Sequence, residues 1–236
     1  KGNLEADYRV KKGFGGGADV YYVGDKVGHG VIRSYYAKDQ NPPEQVNDDR
    51  SRYQWRHQSK MWDSTTLTAE VNKLSDPYVT KDFFYREEYE RNLTPDNYIS
   101  LITTKPEYTL SILERMRLQD FYGTTERSPE VRFDTHNRAF GDTPFYLRQE
   151  TQGVNLTKPG VEGDDGFDVV RFDTNETVSY AGRIKDISVT PRVGTHQTYY
   201  SDDVTGDRDL HRATFDPGLD VSTHFFKTYN TYIHAM

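Results

Sequence analysis

The chain has 236 residues, of which 34% are hydrophobic and 14% aromatic, and its formal net charge is -7. It holds no apolar run of about 18 residues, the minimum for a spanning helix, so the sequence excludes a helical membrane protein. Plentiful aromatic residues arranged with period two argue against disorder, and the acidic balance argues against a nucleic-acid partner. The chain has no Cys, which excludes disulfides and thiolate metal sites.

Turn-forming residues divide the chain into many strands. In chain order, strands are predicted near residues 4–10, 18–23, 31–37, 52–61, 65–73, 98–103, 107–119, 131–135, 145–153, 169–173, 178–182, 187–200 and 219–232. The segments 41–49, 159–166 and 201–209 are predicted loops, and residues 76–96 form a longer charged connection that can hold one or two helical turns over 81–91. Neighbouring strands are expected to pair as hairpins, with no domain boundary between residues 1 and 236.

Residues 52–61 alternate between two kinds of side chain. The even-numbered positions, called the polar parity, are polar throughout and hold Arg52, Gln54, Arg56, Gln58 and Lys60. The odd-numbered positions are largely aromatic or apolar and hold Tyr53, Trp55, His57, Ser59 and Met61. Successive side chains of a strand point to opposite faces of its sheet, so this segment is predicted to have one wet face and one apolar face. The same pattern recurs over residues 66–72 and 108–119.

Such strands predict an all-β protein, an antiparallel meander that forms part of a large outer-membrane β-barrel. A compact soluble domain of this length would supply apolar strands or amphipathic helices for a core, and few are present. A wide barrel keeps a polar lumen, which accounts for the mean hydropathy of -0.89. The polar parity, from Arg52 to Lys60, is therefore predicted to face the lumen. Tyr53 and Trp55 are predicted to face lipid near a membrane interface.

No catalytic constellation is found in the sequence. Residues 13–18 fit the loose G-x-G-x-x-A form of a dinucleotide loop, but they precede a predicted strand instead of a helix. The seven His residues are scattered, with no H-E-x-x-H zinc motif, and no G-x-S-x-G elbow is present. The chain is accordingly predicted to be no enzyme, with no catalytic residue, no metal ligand and no cofactor.

Two acidic clusters are candidate cation sites. One comprises Asp164, Asp165 and Asp168; the other comprises Asp202, Asp203, Asp207 and Asp209 around Gly206. Neither has the D-x-D-x-D-G spacing with a distal Glu that a calcium loop shows, so solvated acidic turns are predicted. If a cation does bind, it is expected to bridge loops.

Three stretches in order resemble one family. They are Glu70–Tyr78 leading to Lys81–Phe84, then Leu118–Val131, and later Val189–Gly194 with Tyr199 and Tyr200. Their order and spacing are similar to the C-terminal barrel of the LptD family of lipopolysaccharide-assembly proteins, also called organic solvent tolerance proteins. The similarity extends from about Tyr8 to the last predicted strand.

The resemblance implies transport without covalent chemistry. It implies that lipopolysaccharide arrives from a periplasmic Lpt bridge through an N-terminal domain, that its sugar part passes through the lumen, and that its lipid leaves sideways through a seam. It also implies an LptE-like lipoprotein that plugs the lumen, contact with outer-membrane lipid, and a location in the outer membrane of a diderm bacterium. Export to the outer membrane needs a signal peptide, and the sequence begins at Lys1 without one, so it is expected to be a piece of a longer protein.

Two alternatives stay open at this point. One is a soluble extracellular β-rich module that binds glycans through its Tyr and Trp residues, and the other is a fragment of an extracellular hydrolase. A barrel predicts strands of about 9 to 11 residues or more. A sandwich predicts shorter strands and two sheets with apolar inner faces.

Overall fold

A computed structural model describes residues 1–91, 94–161, 164–202 and 208–228. Strands account for 68% of the chain and helices for 5%, which confirms the prediction of an all-β antiparallel meander. Among the described residues, no helix is both long and apolar enough to cross a bilayer.

One sheet contains fourteen strands, each antiparallel to its neighbours. The strands are β1 (Gly2–Arg9), β2 (Gly13–Gly24), β3 (Gly28–Lys38), β4 (Asp49–Trp62), β5 (Thr65–Leu74), β6 (Tyr98–Thr104), β7 (Tyr108–Arg115), β8 (Glu126–Thr135), β9 (Arg138–Ala139), β10 (Phe145–Val161), β11 (Asp164–Tyr180), β12 (Gly182–Ile184), β13 (Ile187–Asp202) and β14 (Arg208–Thr223).

Each strand pairs with the next in the chain, with two local interruptions. β9 continues the position of β8 along β10, and β12 continues the position of β11 along β13. β1 pairs only with β2 and β14 only with β13 among the described residues, so these two strands are the edges of the sheet. The sheet is therefore open over the described part of the chain.

Connections at the two ends of the sheet differ in length. At one end, the hairpins turn through residues 25–27, 63–64 and 105–107. At the other end, longer segments join the strands at residues 39–48, 75–97 and 116–125. Two connections depart from this pattern: residues 10–12 form a short turn at the second end, and residues 136–144, which include β9, form a longer connection at the first. We call the first end the short-turn end and the second the long-loop end.

The strands predicted near residues 169–173 and 178–182 are parts of one strand, β11, and several predicted boundaries were wrong. Residues 159–166 were predicted as a loop, yet β10 and β11 extend into this segment and pair as far as Val161 and Asp164. The last strand was predicted over residues 219–232, but β14 begins at Arg208 and ends at Thr223; residues 229–232 lie outside the described part. The strand predicted over residues 107–119 ends at Arg115. At residues 159–166 and at the start of β14, ladder pairing with a long neighbouring strand overrides the turn-forming composition of the segment.

The connection between β5 and β6 contains the helical turns predicted over residues 81–91. They are α1 (Val79–Phe83) and a π-helical turn (Tyr85–Tyr89). Residues 75–91, called the strap below, fold back over one face of β3, β4 and β5. Their apolar side chains form a small core with the sheet, in which the buried residues are Tyr35, Ala37, Leu74, Val79, Phe83 and Phe84.

Candidate functional site: the polar face of the sheet

The pairing registers show which residues of the neighbouring strands lie on the same face as each side chain of β4. Arg56 lies opposite Val31 on β3 and Glu70 on β5, and Glu70 lies opposite Tyr98 on β6. Directly paired residues point to the same side of a sheet. The parity of Arg52 to Lys60 therefore belongs to one face, which we call the polar face, and Tyr53 and Trp55 belong to the opposite, outer face.

Ion pairs line the polar face, both between neighbouring strands and between alternate residues of one strand. Arg56 pairs with Glu70 at 3.0 Å, and in the second half of the sheet Arg132 pairs with Asp134 at 2.8 Å. Arg148 lies 2.6 Å from Glu150. Charges of both signs thus alternate along this face, which keeps it hydrophilic without a strong net field.

The five polar residues predicted on β4 share this face but differ in exposure. Arg52 and Gln54 are buried beneath the strap. Arg56 is exposed, although it is paired with Glu70, and Gln58 and Lys60 are also exposed. The strap thus covers the long-loop part of this row and leaves the short-turn part open.

Glu88 of the strap binds the two covered residues of this row, Arg52 and Gln54. Its carboxylate accepts hydrogen bonds from Nη1 of Arg52 and, at 3.0 Å, from Nε2 of Gln54. The guanidinium carbon of Arg52 also lies 3.6 Å from the centre of the Phe84 ring, a favourable cation–π contact. Burial raises the pKa of Glu88 despite the nearby Arg52 cation, which acts in the opposite direction.

A second charge cluster surrounds Arg50, whose side chain is fully buried. Its guanidinium donates to Asp76 of the strap at 2.6 Å, to Asp82 of the strap at 2.5 Å and to Asp39 of the β3–β4 connection at 2.9 Å. Lys12, from the β1–β2 turn, lies 3.1 Å from Asp39 and 3.0 Å from Asp82. The cluster joins four segments that are distant in the sequence.

Two of the three carboxyls that contact Arg50, those of Asp39 and Asp76, are held in the charged form. Burial by itself would raise the pKa of Asp39, but hydrogen bonds from Arg50 and from the backbone N–H of Asn41 outweigh it and lower the pKa. The pKa of Asp76 is lowered in the same way, because bonds from Arg50 and Ser75 outweigh its burial. These carboxylates are therefore anchors for the strap at neutral pH.

The sequence prediction missed this cluster. Arg50 continues the polar parity of Arg52 by one more step, so an alternation traced two residues further would have included it. Asp39, Asp76 and Asp82 lie in loops or in the strap, and no periodic signal joins them to Arg50. Only the folded chain brings them together.

The outer face is apolar and exposed. Its middle carries aliphatic side chains, of which Ile99 and Ile112 are both 41% exposed. Tyr53 is 44% exposed on this face, whereas Trp55 is half-buried because its Nε1 donates to Oη of Tyr22 at 2.9 Å. A surface of this kind is unusual on a monomeric soluble protein and marks contact with a partner or a membrane.

Aromatic pairs flank the aliphatic residues at both ends of the outer face. At the short-turn end, the rings of Tyr108 and Phe133 lie 5.6 Å apart and those of Phe145 and Tyr180 lie 5.2 Å apart. At the long-loop end, the rings of Tyr8 and Phe14 lie 4.6 Å apart. Transmembrane barrels carry an apolar band between two such aromatic girdles.

Within the described residues, no group of three or more His, Asp or Glu side chains could hold a metal ion. Asp203 and Asp207 of the second acidic cluster lie outside the described residues, as do the side chains of Asp164 and Asp165 in the first. The cation hypothesis thus stays a hypothesis.

Comparisons with known proteins identify no family for this chain. No protein-family profile matches it. No curated protein sequence matches it either.

Proposed function

We propose that the chain forms part of the wall of an outer-membrane β-barrel that transports lipopolysaccharide and inserts it into the outer leaflet, without catalysis. The observation that carries this proposal is the contrast between the two faces of one long sheet. One face is lined by cross-strand ion pairs such as Arg56–Glu70. The other exposes an aliphatic band between two sets of aromatic rings.

Strand length supports the barrel over a soluble sandwich. β4 has 14 residues, and β10 and β11 have 17 each, whereas β1, β6 and β7 are shorter, with 8, 7 and 8 residues. A tilted strand needs about 9 to 11 residues to cross the bilayer. A sandwich would cover the apolar face with a second sheet. All described strands belong to one sheet, and its apolar face is uncovered.

The two ends of the sheet support one orientation. Outer-membrane barrels have short periplasmic turns and longer extracellular loops. By this rule, the turns at residues 25–27, 63–64 and 105–107 face the periplasm, and the strap belongs to the extracellular end. The polar face then lines the lumen, where hydroxyl-rich sugar can replace water at the charged side chains.

Several partners follow from the resemblance to the LptD family. They are lipopolysaccharide itself, outer-membrane lipid, an LptE-like lipoprotein plug and a periplasmic Lpt bridge that acts through an N-terminal domain. The two edge strands, β1 and β14, each present an unpaired row of backbone groups in the described structure. Such edges need further strands, which fits a segment of a larger wall.

Depletion in the native host tests the proposal. Cells that lose the full-length protein should lose newly made lipopolysaccharide from their surface, measured by labelling the sugar with a reagent that does not enter the cell. Depletion of an unrelated outer-membrane barrel serves as the control. Unchanged surface lipopolysaccharide, or a full-length protein that fractionates away from the outer membrane, would refute the proposal.

A further inference from the structure

A pocket of about 460 Å³ opens beside the strap. Its floor is the row of Tyr22, Gly30, His57 and Ala69, paired across β2 to β5. Residues immediately before and after each floor residue form the walls. Because side chains alternate between faces, these wall residues all point to the face opposite to that of the floor side chains.

The pocket therefore lies on the polar face. The other side of the floor is filled, because the Tyr22 ring lies across Gly30: a Cβ atom added at Gly30 would be 2.3 Å from Oη of Tyr22. Two of the wall residues, Arg56 and Gln58, belong to the polar parity of β4. The wall row from Tyr21 to Tyr98 spans five strands, which is about 19 Å along the sheet at about 4.8 Å per strand.

Tyrosine rings mark the two ends of this row, with polar groups between them. Tyr21 and Tyr98 offer ring faces for C–H groups and hydroxyls for hydrogen bonds. Gln58 and Thr68 are directly paired across β4 and β5, so they present an amide and a hydroxyl side by side. This is the chemistry of a site for a ring with one apolar face and equatorial hydroxyl groups.

We propose that this pocket binds two or three consecutive pyranose rings of a saccharide chain. The C–H faces of the rings pack on Tyr21 and Tyr98, while Arg56, Gln58 and Thr68 bond the hydroxyls. The pocket suits a phosphate or a nucleotide poorly, because Glu70 already neutralises Arg56 at 3.0 Å. Its lining is mostly apolar and includes Val23 and Val31, which suits the C–H faces of sugar rings, whereas an acyl chain would leave the polar groups of Arg56, Gln58 and Thr68 without partners.

The strap covers the polar face next to the pocket, on the side of the long-loop end, although the residues that line the pocket do not include the strap. Gln54, the next polar residue of β4 toward the long-loop end, is buried and already donates to Glu88. The strap buries Val79, Phe83 and Phe84 against the sheet, and the burial of these apolar side chains holds it over this part of the face. A saccharide bound in the pocket therefore cannot extend along β4 past the covered Gln54.

The inference deepens the proposed function, since the pocket lies on the face proposed to line the lumen. Its test uses full-length protein purified in detergent and saturation-transfer NMR with two probes. One probe is maltotriose; the other is the oligosaccharide released by mild acid from the host's lipopolysaccharide. Tyr98→Ala and Tyr21→Ala should each weaken, about tenfold, the binding of whichever probe the wild type binds. Tyr53→Ala, on the outer face, should leave it unchanged.

Heat-modifiable gel migration verifies that each variant has a folded barrel. Loss of binding in Tyr98→Ala with intact migration supports the pocket. No saturation transfer to either probe in the wild type, or equal binding in the wild type and Tyr98→Ala, overturns it. Failure of the proposed function looks different: oligosaccharide binding would persist in a protein whose depletion leaves surface lipopolysaccharide unchanged.

Discussion

Glu88 of the strap and Arg52 of β4 form an ion pair on the polar face in which the side chains are only 17% and 6% exposed. Burial at this contact opposes both charges, and the Phe84 ring covers the guanidinium. The pair is thus held in place by the packing of the strap. It also fixes where the covered part of the polar face ends, because Gln54 shares the same carboxylate.

The Arg50 cluster should decide whether the strap stays docked. Arg50→Met removes the cation from two buried carboxylates, Asp39 and Asp76, and breaking a buried ion pair in this way costs about 3–5 kcal/mol. Ala37→Cys provides the reporter, because Ala37 is 1% exposed under the strap and the chain has no natural Cys. We expect its thiol to react with maleimide many times faster in the Arg50→Met background.

Arg132→Met is the matched control for this experiment. Arg132 also belongs to an ion pair on the polar face, but its side chain is 45% exposed, and exposed pairs contribute only about 0–1 kcal/mol. The reporter thiol should react at the wild-type rate in this background. Equal protection in the Arg50→Met and Arg132→Met variants would contradict the anchoring role of Arg50.

Docking of the strap should depend on pH in the acid range. The pKa values of Asp39 and Asp76 are lowered from their ordinary value of 3.8, so the stability they contribute is present above 3.8 and is lost as pH falls through the lowered values. The pKa of Glu88 is raised from 4.5, so its contribution has the opposite sign: it is present below 4.5 and is lost as pH rises through the raised value.

The strap is therefore expected to remain docked at pH 5 and to loosen below 3.8. Dithiodipyridine, which reacts with thiols in acid, can follow the Ala37→Cys reporter through this range, normalised to an exposed thiol at Lys60→Cys. The Asp39→Asn variant should lose part of the pH dependence. A reporter that stays equally protected from pH 5 to pH 3 would show that these carboxyls do not hold the strap.

Gly30 should be intolerant of a side chain. Its Cβ atom would lie 2.3 Å from both the backbone oxygen of Arg56 and Oη of Tyr22, so Gly30→Ala must displace the Tyr22 ring and strain the ladder, at a cost of about 1–3 kcal/mol. Gly123→Ala is the control, because nothing lies within 4 Å of that position. The temperature at which the full-length barrel loses its folded gel migration should fall only for Gly30→Ala.

The orientation of the two faces can be tested on neighbouring residues of β4. Trp55→Arg puts a charge on the face proposed to meet lipid, which costs about 2–4 kcal/mol at mid-bilayer and less near an interface. Arg56→Ser removes an exposed pairing with Glu70 and should matter little. Heat-modifiable migration of the full-length variants should show impaired assembly for Trp55→Arg alone.

Trp55→Phe separates the charge effect from the lost hydrogen bond to Tyr22. This variant keeps an aromatic ring on the outer face and should assemble nearly as well as the wild type. If Trp55→Arg assembles normally while Arg56→Ser fails, the faces are inverted or the barrel proposal is wrong.

The sequence by itself determined the fold class and the two faces of β4. Alternation between Arg52, Gln54 and Arg56 on one side and Tyr53 and Trp55 on the other is a local property, because a strand turns each successive side chain to the opposite face. Short turns such as residues 63–64 are equally local, since their residues set the backbone direction. These features needed no knowledge of distant contacts.

Only the tertiary structure decided which part of the polar face is covered. The contacts of Arg50 with Asp39 and Asp82, and of Arg52 with Glu88, join segments whose separation along the chain carries no periodic signal. The pocket walled by Tyr21 and Tyr98 likewise requires the register of five strands. Residues 159–166 show the same limit, because pairing between two long strands overcame a composition typical of loops. Alternation specifies the two faces of a strand, and long-range pairing specifies what each face meets.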